Sequence, residues 1–438
     1  MKKKLHLYYV SFLFLAITTL LVFSSFNLIT PLWSSGQNIY KKVRAGNTAS
    51  HFKNNEASLI IVSGRDENDL ILKTVQRYNV NSNSWDTLAP HPTGLLGGAT
   101  SVLKDSLYVV GGVVNPPGSG QQTVYKLSIN ENIWSTVADF PISIVDAKAV
   151  SYQDSLIYTA GGFSVINEGI VFLYNSNTNS WRQCNSMPCT GRLNFGGFAI
   201  AGDTLIYMCG TSSFGSSSYF DSVYVGVIDQ NDRSVINWSL GTNFPGETRT
   251  FFDACSWGNR GIIMTGGSTD NTFNTVSNEC YSYSPGSRQW TALPDKPSSW
   301  LTGQSGSVML ENNIWKLICA SGYNNGYLSQ TEILSDTLST VGIIGFNSAI
   351  PGSSALYQNY PNPFNPNTNI SFKLNSNEIV TLKIYDLNGK EVQTLLNEKL
   401  KAGTYDYDWN ASGLTSGVYY YRLTAGSFSE TKKLMLIK

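Results

Sequence analysis

The segment "DAKAVSYQDSLIYTAGG" (146–162) contains two short apolar runs joined by a tight Asp-Ser turn, and the second run ends in a pair of glycines. A third apolar run, "IVFLYNS" (170–176), follows it, and then come Trp181 and Pro188. Apolar runs of about four to eight residues bounded by Gly, Asn, Asp and Ser are typical of β-strands. The unit therefore predicts four short antiparallel strands in succession.

The same arrangement recurs along the chain with a period of about 50 residues, as in a repeat architecture. The strands that end in glycine finish at Gly64, Gly112, Gly162, Gly210, Gly267 and Gly322. A Trp that precedes a Pro by seven residues follows each of the first five of these strands, at Trp85, Trp134, Trp181, Trp238 and Trp290. Because the order and spacing of the Gly-ended strand, the Trp and the Pro recur in five copies, we predict that each repeat forms one four-stranded sheet.

These repeats resemble the kelch family of β-propellers, in which each repeat forms one blade. The resemblance implies an all-β propeller, which we assign to residues 58–346. The six Gly-ended strands favour six blades, and five or seven blades are the alternatives because the fourth and fifth copies are longer. A Gly pair suits the crowded inner strands around the axis because it carries no side chain and permits a sharp turn. The Trp supplies a large apolar surface for packing between blades.

The two ends of the repeat region are incomplete. The first repeat begins at "SLIIVSG" (58–64), and it lacks an innermost strand. The last repeat has no Trp strand. Propellers of this kind close by completing a blade from both ends of the chain, so the candidates for the missing strands are "STVGIIGF" (339–346) and a segment before Glu56.

The N-terminus, "MKKKLHLYYVSFLFLAITTLLVF", combines three lysines with an apolar run, the pattern of an export signal. The run is also just long enough to span a bilayer. We therefore assign residues 1–26 to a signal peptide or an N-terminal membrane anchor, and residues 27–57 to a lead-in. Contact with a membrane is expected only through this segment, if it is not cleaved.

A second domain follows the Pro/Gly/Ser-containing linker 347–356. In residues 357–438 apolar and polar residues alternate, and Asn388-Gly389 is a hairpin signal, so we expect a small Ig-like β-sandwich. The buried positions are predicted to include Ile370, Phe372, Leu374, Leu382, Ile384, Tyr405, Tyr407, Tyr419, Tyr421 and Leu423.

This domain resembles the C-terminal sorting domain of the bacterial type IX secretion system. The resemblance rests on "NYPNPFNP" (359–366), "IYDLNGKEV" (384–392), "SGVYYYRL" (416–423) and "KKLMLIK" (432–438). It implies that the domain is an address read by the secretion machinery, and that the protein is secreted or placed on the outer cell surface of the bacterial envelope. An ordinary Ig-like adhesion module is the alternative.

Charge and cysteine content exclude several classes of protein. Lys plus Arg and Asp plus Glu are equal at 30 each, so no general positive field exists to attract nucleic acid, and we expect none as a partner. The six Cys have no zinc-site or redox spacing. Cys184 and Cys189 flank a short loop and could form a disulfide in an oxidising compartment, whereas buried free thiols are expected elsewhere.

Metal and cofactor sites are not expected. The copper site of kelch-fold galactose oxidases requires two His ligands, and only His51 and His91 lie outside the leader. The loop "RDENDLI" (65–71) holds Asp66, Glu67 and Asp69, but it lacks the Gly and distal Glu of a calcium-binding loop. A solvated acidic loop is the simpler interpretation.

We therefore predict an exported binding module for a glycan or protein ligand. The first alternative is a sugar-acid mutarotase or epimerase of the kelch type, with Glu247, Arg249 and Arg192 as the candidate catalytic residues; both arginines also match a structural Arg of the kelch repeat. A purely structural or adhesive surface protein is the second alternative. Convergent charged groups with shifted pKa values at the channel mouth would favour the enzyme, and an aromatic rim would favour binding.

Overall fold

A computed structural model gives the coordinates of this protein. The structure describes residues 32–53, 56–114, 118, 120–163, 169–189, 194–212, 219–258, 261–270, 274–309, 315–335, 344–346, 354–359, 362–400 and 403–437. Within these ranges the regular elements are β-strands, grouped into eight four-stranded antiparallel sheets. Six sheets form the propeller and two form the C-terminal domain, which confirms the predicted fold class.

Each of the first five blades consists of four consecutive strands, and the chain enters through a separate strand, β1 (Leu32–Gly36). The blades contain β2 (Asn47–Lys53), β3 (Glu56–Val62), β4 (Val75–Asn79) and β5 (Ser84–Leu88); β6 (Ala99–Leu103), β7 (Ser106–Val110), β8 (Val124–Ser128) and β9 (Ile133–Val137); β10 (Lys148–Tyr152), β11 (Leu156–Ala160), β12 (Val171–Asn175) and β13 (Ser180–Gln183); β14 (Gly197–Ala201), β15 (Thr204–Thr211), β16 (Tyr219–Ile228) and β17 (Ile236–Leu240); and β18 (Asp253–Ser256), β19 (Ile262–Thr265), β20 (Cys280–Ser284) and β21 (Gln289–Leu293).

The sixth blade is assembled from both ends of the propeller region. It contains β22 (Gln304–Met309), β23 (Trp315–Ala320) and β24 (Thr331–Ser335), and β1 pairs with β24 as its outermost strand. The register runs from Leu32 opposite Ser335 to Gly36 opposite Thr331. The first and last strands of the propeller therefore hold the ring closed.

Of the two segments predicted to supply missing strands, the one before Glu56 does so and the other does not. The segment before Glu56 contains β2, the innermost strand of the first blade, and its exact position was not evident because its buried residues include the polar Asn47 and His51. The lead-in therefore belongs to the propeller from Leu32 onward. Within "STVGIIGF" only residues 344–346 are described, and they pair with the C-terminal domain instead of completing a blade.

The tryptophans of the repeats join neighbouring blades through one hydrogen bond that recurs at each junction. In each case the indole N–H donates to the backbone carbonyl that lies four residues after the Trp of the preceding blade. These bonds are Trp33 to Pro294 (2.8 Å), Trp85 to Gln37 (2.8 Å), Trp134 to Ala89 (2.9 Å), Trp181 to Ala138 (2.9 Å), Trp238 to Asn185 (3.1 Å) and Trp290 to Thr242 (2.9 Å). Trp33 in β1 is thus the sixth repeat Trp.

The glycine pairs have a defined role at the blade junctions. The N–H of the second Gly of a pair, or of the Gly that follows Ser321, donates to the carbonyl shortly before the inner strand of the next blade, as in Gly112 to Ile144 (2.8 Å) and Gly322 to Val43 (3.1 Å). Gly112 has a φ of 89°, and a Cβ there would lie 2.9 Å from the Leu96 carbonyl oxygen. Only glycine tolerates both the backbone conformation and this close approach.

Two sheets packed face to face form the C-terminal domain. One has the order β25 (Ile344–Phe346), β30 (Gly403–Asn410), β27 (Asn367–Leu374) and β26 (Ala355–Leu356), and the other β29 (Glu391–Leu400), β28 (Glu378–Tyr385), β31 (Gly417–Ala425) and β32 (Phe428–Leu436). The predicted inward residues form its core, with Tyr407 partly buried at the edge. Because β25 and β26 are part of this domain, it begins earlier than the predicted linker.

The leader lies outside the described residues. Within the part of the chain that the structure describes, no helix has the length and apolar character needed to cross a bilayer. Cys184 is a buried thiol and not half of a disulfide with Cys189, and burial raises the pKa of Cys184 to about 12.

Candidate functional site at the propeller axis

One mouth of the axial channel is bordered by a ring of residues with left-handed backbone conformation. Each member stands two residues before an inner strand, where the chain crosses from one blade to the next. The six members, which we call the left-handed ring, are Ala45, Gly97, Asp146, Phe195, Phe251 and Thr302, with φ between 47° and 61°. We call this end of the channel the crossing mouth.

Backbone hydrogen bonds between neighbouring blades hold this ring in place. The Asp146 N–H donates to the Gly97 carbonyl at 2.6 Å, and the Thr302 N–H donates to the Phe251 carbonyl at 2.9 Å. Ala45 donates to Thr302 at 3.2 Å across the junction between the last and first blades. Since the conformation recurs in all six blades, it belongs to the fold, and the side chains are what distinguish the positions.

Aromatic and acidic side chains occupy three of the six ring positions. Phe195 and Phe251 are half-buried, and their rings contact each other with centroids 4.4 Å apart. The fold imposes positive φ at all six positions, and at these three it places Phe195, Phe251 and Asp146 in the lining of the cavity, whereas Gly97 contributes no side chain.

Three charged residues converge just inside the crossing mouth. Burial raises the pKa of Asp146 to about 6, and the nearby charge of Lys148 opposes this rise. Burial also raises the pKa of Asp253, against the opposing effects of Lys148 and of hydrogen bonds from Ser305 and Ala254. Lys148 itself makes no ion pair with any described residue. The site therefore combines one available cation with two carboxyl groups whose affinity for protons is increased.

Asp253 differs from Asp146 in how firmly it is held. Its carboxylate accepts the backbone N–H of Ala254 at 3.0 Å and that of Ser305 in the sixth blade. It is only 7% exposed. Asp253 thus joins two inner strands, whereas Asp146 is the carboxyl group that remains accessible from the channel.

A second polar group lines the opposite end of the channel. The hydroxyl of Tyr152 donates to Asp203 at 2.5 Å, and the guanidinium of Arg233 lies 5.7 Å from the centre of the Tyr152 ring. Burial raises the pKa of Tyr152 to about 12, with a further contribution from Asp203. Because these groups satisfy one another, they brace the third and fourth blades.

The channel is large enough for a small ligand. Its cavity has a volume of about 1320 Å³ and is lined by the inner strands, the left-handed ring and the polar groups described above. Pro363, Phe364 and Asn365 of the C-terminal domain complete the lining. Concave sites of this size, mainly apolar with a few convergent polar groups, are the usual form of small-molecule sites.

The candidate catalytic residues from the sequence do not line this cavity where they are described. Arg249 is fully buried, pairs with Glu279, donates to the Gly266 carbonyl at 3.3 Å and stacks on Phe244 at 5.2 Å. Glu247 is exposed on the surface, and only its backbone carbonyl bonds to Arg249, at 3.0 Å. Arg192 lies outside the described residues. The environment of Arg249 matches the structural Arg of the repeat.

Neither of the two described histidines contributes to the channel. His51 lies 3.4 Å from Asp105. His91 packs edge-on against Tyr125 and Trp134, and burial lowers its pKa to about 4. No group of three or more His, Cys, Asp or Glu residues suitable for a metal ion occurs within the described ranges.

The acidic loop makes local contacts instead of presenting an open set of oxygen ligands. Asp66 Oδ1 accepts the backbone N–H groups of Asn68 at 3.0 Å and Leu70 at 2.9 Å. Glu67 pairs with Lys42 at 3.3 Å.

The channel residues that the sequence did not reveal are either members of the left-handed ring or stand two residues after a member. Phe195, Phe251, Asp146, Lys148 and Asp253 have no motif of their own. An alignment of the six repeats on the start of the inner strand would have shown that the position of Gly97 changes to Asp or Phe in other blades. The replacement of glycine by Asp or Phe at this position is the feature of the sequence that could have indicated these site residues.

Comparisons with known proteins agree with this architecture. Residues 358–438 match the family model of the secretion system C-terminal sorting domain, and residues 95–141 match that of the kelch motif. The propeller is similar to the solved structure titled "Structure of YjhT", with a TM-score of 0.54 and 14% identity over 68% of this chain and 97% of that chain. No curated protein matches the sequence.

The fold and these matches define the class of the protein. It is a kelch-type β-propeller joined to a type IX secretion sorting domain. The sorting domain indicates export, so the protein is secreted or displayed on the cell surface.

Proposed function

We propose that this protein is an exported recognition module that binds a glycan at the crossing mouth of its propeller. The aromatic pair Phe195 and Phe251, held on the left-handed ring beside the charged groups of the channel, is the observation that carries the proposal. A flat aromatic surface covers the apolar face of a sugar ring, while Lys148 and Asp146 supply hydrogen bonds to its hydroxyl groups. A concave site of this kind suits a small glycan better than a flat protein surface.

The path of the chain presents this mouth away from the secretion domain. The inner strand β22 starts two residues after Thr302, so it runs away from the crossing mouth. The next strand, β23, returns antiparallel, and β24 runs away again before the propeller ends at Ser335. The sorting domain is therefore attached at the face opposite the left-handed ring, which leaves the ring accessible.

Replacement of Phe251 by Ala is expected to weaken glycan binding by about 10-fold or more, because half of the stacking surface is lost. Leu240→Ala is the matched control, since Leu240 is an exposed apolar residue on an outer strand. The measurement is isothermal titration of the full exported chain against a panel of neutral and acidic oligosaccharides. Saturable binding that is equally weakened in both variants, or absent from the whole panel, would reject the proposal.

A sugar-acid mutarotase is the second candidate function, and Asp146 is the observation that favours it. A general base is most effective when its pKa lies close to the working pH, and burial raises the pKa of Asp146 to about 6. The ionised Asp146 would remove the proton of the anomeric hydroxyl group as the bond between the anomeric carbon and the ring oxygen breaks, and it would give that proton to the ring oxygen. The open-chain sugar then rotates its carbonyl group and closes by the reverse steps to the other anomer.

This second function predicts a specific pH profile. Anomer interconversion should accelerate as the pH rises through about 6, since the ionised base accumulates above its pKa. Asp146→Asn should reduce the rate by about 100-fold or more while keeping the left-handed backbone, which Asn tolerates. Lys148→Met should move the midpoint to higher pH. Interconversion of the anomers is followed by NMR. No acceleration by the protein, or a pH profile that is the same in both variants as in the natural protein, would reject the mutarotase function and retain only the binding function.

A further inference from the structure

A second charged cluster lies on the rim of the crossing mouth, outside the channel site. It joins the first and last blades, and it consists of Arg44, Arg65, Asp69, Tyr323 and Tyr327. The backbones of Arg44 and Arg65 form a reciprocal pair of hydrogen bonds, each 3.0 Å long. The position of the two arginines relative to each other is therefore fixed by the fold.

Aromatic side chains orient the first of these arginines. The guanidinium of Arg44 lies 5.3 Å from the ring centre of Tyr323 and 5.7 Å from that of Tyr327. Stacking on two tyrosines restricts the side chain to one orientation, so little freedom remains to be lost when an anion binds. Arg65 borders the channel cavity, and its Nε is buried without a hydrogen-bond partner.

A single carboxylate oxygen now lies between the two guanidinium groups. Asp69 Oδ1 is 3.7 Å from Arg44 Nη2 and 3.4 Å from Arg65 Nη1. The Asp69 side chain is 73% exposed, and its backbone has a φ of 61° at the tip of a loop. Exposed ion pairs at such distances contribute little to stability, so an external anion can replace this carboxylate at small cost.

We propose that Arg44 and Arg65 bind the carboxylate or sulfate group of an acidic glycan whose sugar rings occupy the crossing mouth, and that Asp69 holds this place until the ligand arrives. Two arginines can offer paired N–H donors to an oxyanion, the geometry that makes arginine selective for such groups. The inference rests on the proposed glycan function and specifies the chemical class of the ligand. The carboxylate of Asp69 shows where the oxyanion would lie.

The experiment compares an acidic oligosaccharide with its neutral counterpart on the full exported chain. Tetragalacturonate is the acidic probe, and its complete methyl ester has the same backbone without charge. We expect the natural protein to prefer the acid, and Asp69→Asn to increase this preference by about 3-fold or more because the competing carboxylate is gone. Asn is also well tolerated at positive φ. Arg44→Gln should abolish the preference.

Arg182→Gln is the matched control, because Arg182 is an exposed arginine that pairs with Asp232 at 3.0 Å in another part of the propeller. The affinity of Arg182→Gln for tetragalacturonate, divided by its affinity for the methyl ester, should equal the same ratio for the natural protein. A preference that does not change in Asp69→Asn or in Arg44→Gln would overturn the inference. A sulfated galactan tetramer in the same titrations shows whether sulfate or carboxylate is favoured.

Inorganic sulfate tests the rim cluster independently of any sugar. Millimolar sulfate, compared with sodium chloride of equal ionic strength, should raise the melting temperature of the natural protein, more strongly that of Asp69→Asn, and not that of Arg44→Gln. The control Arg182→Gln measures the general effect of sulfate on stability. Equal shifts in Arg44→Gln and Arg182→Gln would reject the anion site. A specific sulfate shift without binding of any oligosaccharide would instead retain the site and reject the glycan function.

Discussion

A chain that begins at Gln37, and so lacks β1, is expected to lose about 5 kcal/mol or more of unfolding free energy. Removal of β1 exposes the paired edge of β24 and deletes Trp33, which contacts the apolar cluster between the fifth and sixth blades. Loss of a packed Trp alone typically costs about 3–5 kcal/mol. Because domains are stable by only about 5–15 kcal/mol, this loss is large enough to open the ring.

Denaturant unfolding followed by tryptophan fluorescence measures this effect. The control chain begins at Asn27, which removes the leader and retains β1. A synthetic peptide of residues 29–38, added to the shorter chain, should restore part of the stability by pairing with β24, as peptides do when they add a strand to an open sheet edge. Coincident unfolding of the two chains would show that β1 does not close the propeller.

Replacement of Arg249 by Ala is expected to reduce the free energy of unfolding by about 3 kcal/mol without a specific effect on ligand binding. Arg249 is fully buried, and its removal leaves the Gly266 carbonyl without this donor and the Ser277 hydroxyl with one donor fewer. Breaking a buried ion pair from one side costs about 3–5 kcal/mol. The lower figure applies because the partner, Glu279, is 41% exposed and remains partly solvated.

The pH dependence of this effect has a definite sign. Burial raises the pKa of Glu279, but hydrogen bonding and attraction from Arg249 outweigh it, so the pKa lies below its ordinary value. A carboxyl group whose pKa is lowered on folding stabilises the protein above its unfolded pKa, and this stabilisation disappears as the pH falls through the folded value. The difference between the natural protein and Arg249→Ala should therefore shrink below about pH 4.5, close to the ordinary pKa of Glu.

Two further variants separate the contributions of Arg249. Arg249→Met keeps an apolar stem over Phe244 and loses the hydrogen bonds, so its stability should lie between those of the natural protein and the Ala variant. Arg288→Ala is the control, because Arg288 is an exposed arginine that bonds to the Leu240 carbonyl at 2.8 Å. If Arg249→Ala kept its stability and lost anomer interconversion, Arg249 would be a catalytic residue and our structural interpretation would be wrong.

The residues that build the propeller and the residues that we propose bind a ligand are separate in this protein. Trp residues, Gly pairs and Arg249 act between blades and determine whether the ring forms. The left-handed ring and the rim cluster of Arg44 and Arg65 contribute contacts that a ligand could use. Substitutions in the first group should alter stability, and those in the second should alter affinity.

The sequence by itself determined the repeat architecture, the sandwich and the export address, and it favoured six blades with five or seven as alternatives. These features depend on local patterns: a Gly-ended strand and a Trp in each repeat, alternating apolar residues such as Ile370 and Phe372, and continuous motifs in the sorting domain. Such local patterns can be recognised in the sequence because each strand of the propeller pairs mainly with the next strand along the chain.

Only the tertiary structure decided how the ring closes and where a ligand could bind. β1 pairs with β24 about 300 residues later, and no local pattern in five residues identifies so distant a partner. Phe195 and Phe251 meet at the axis from different blades, and Asp69 reaches two arginines that are not adjacent in the chain. Repeats place equivalent residues around one axis, so a site composed of single residues from several blades becomes recognisable only after the blades are assembled.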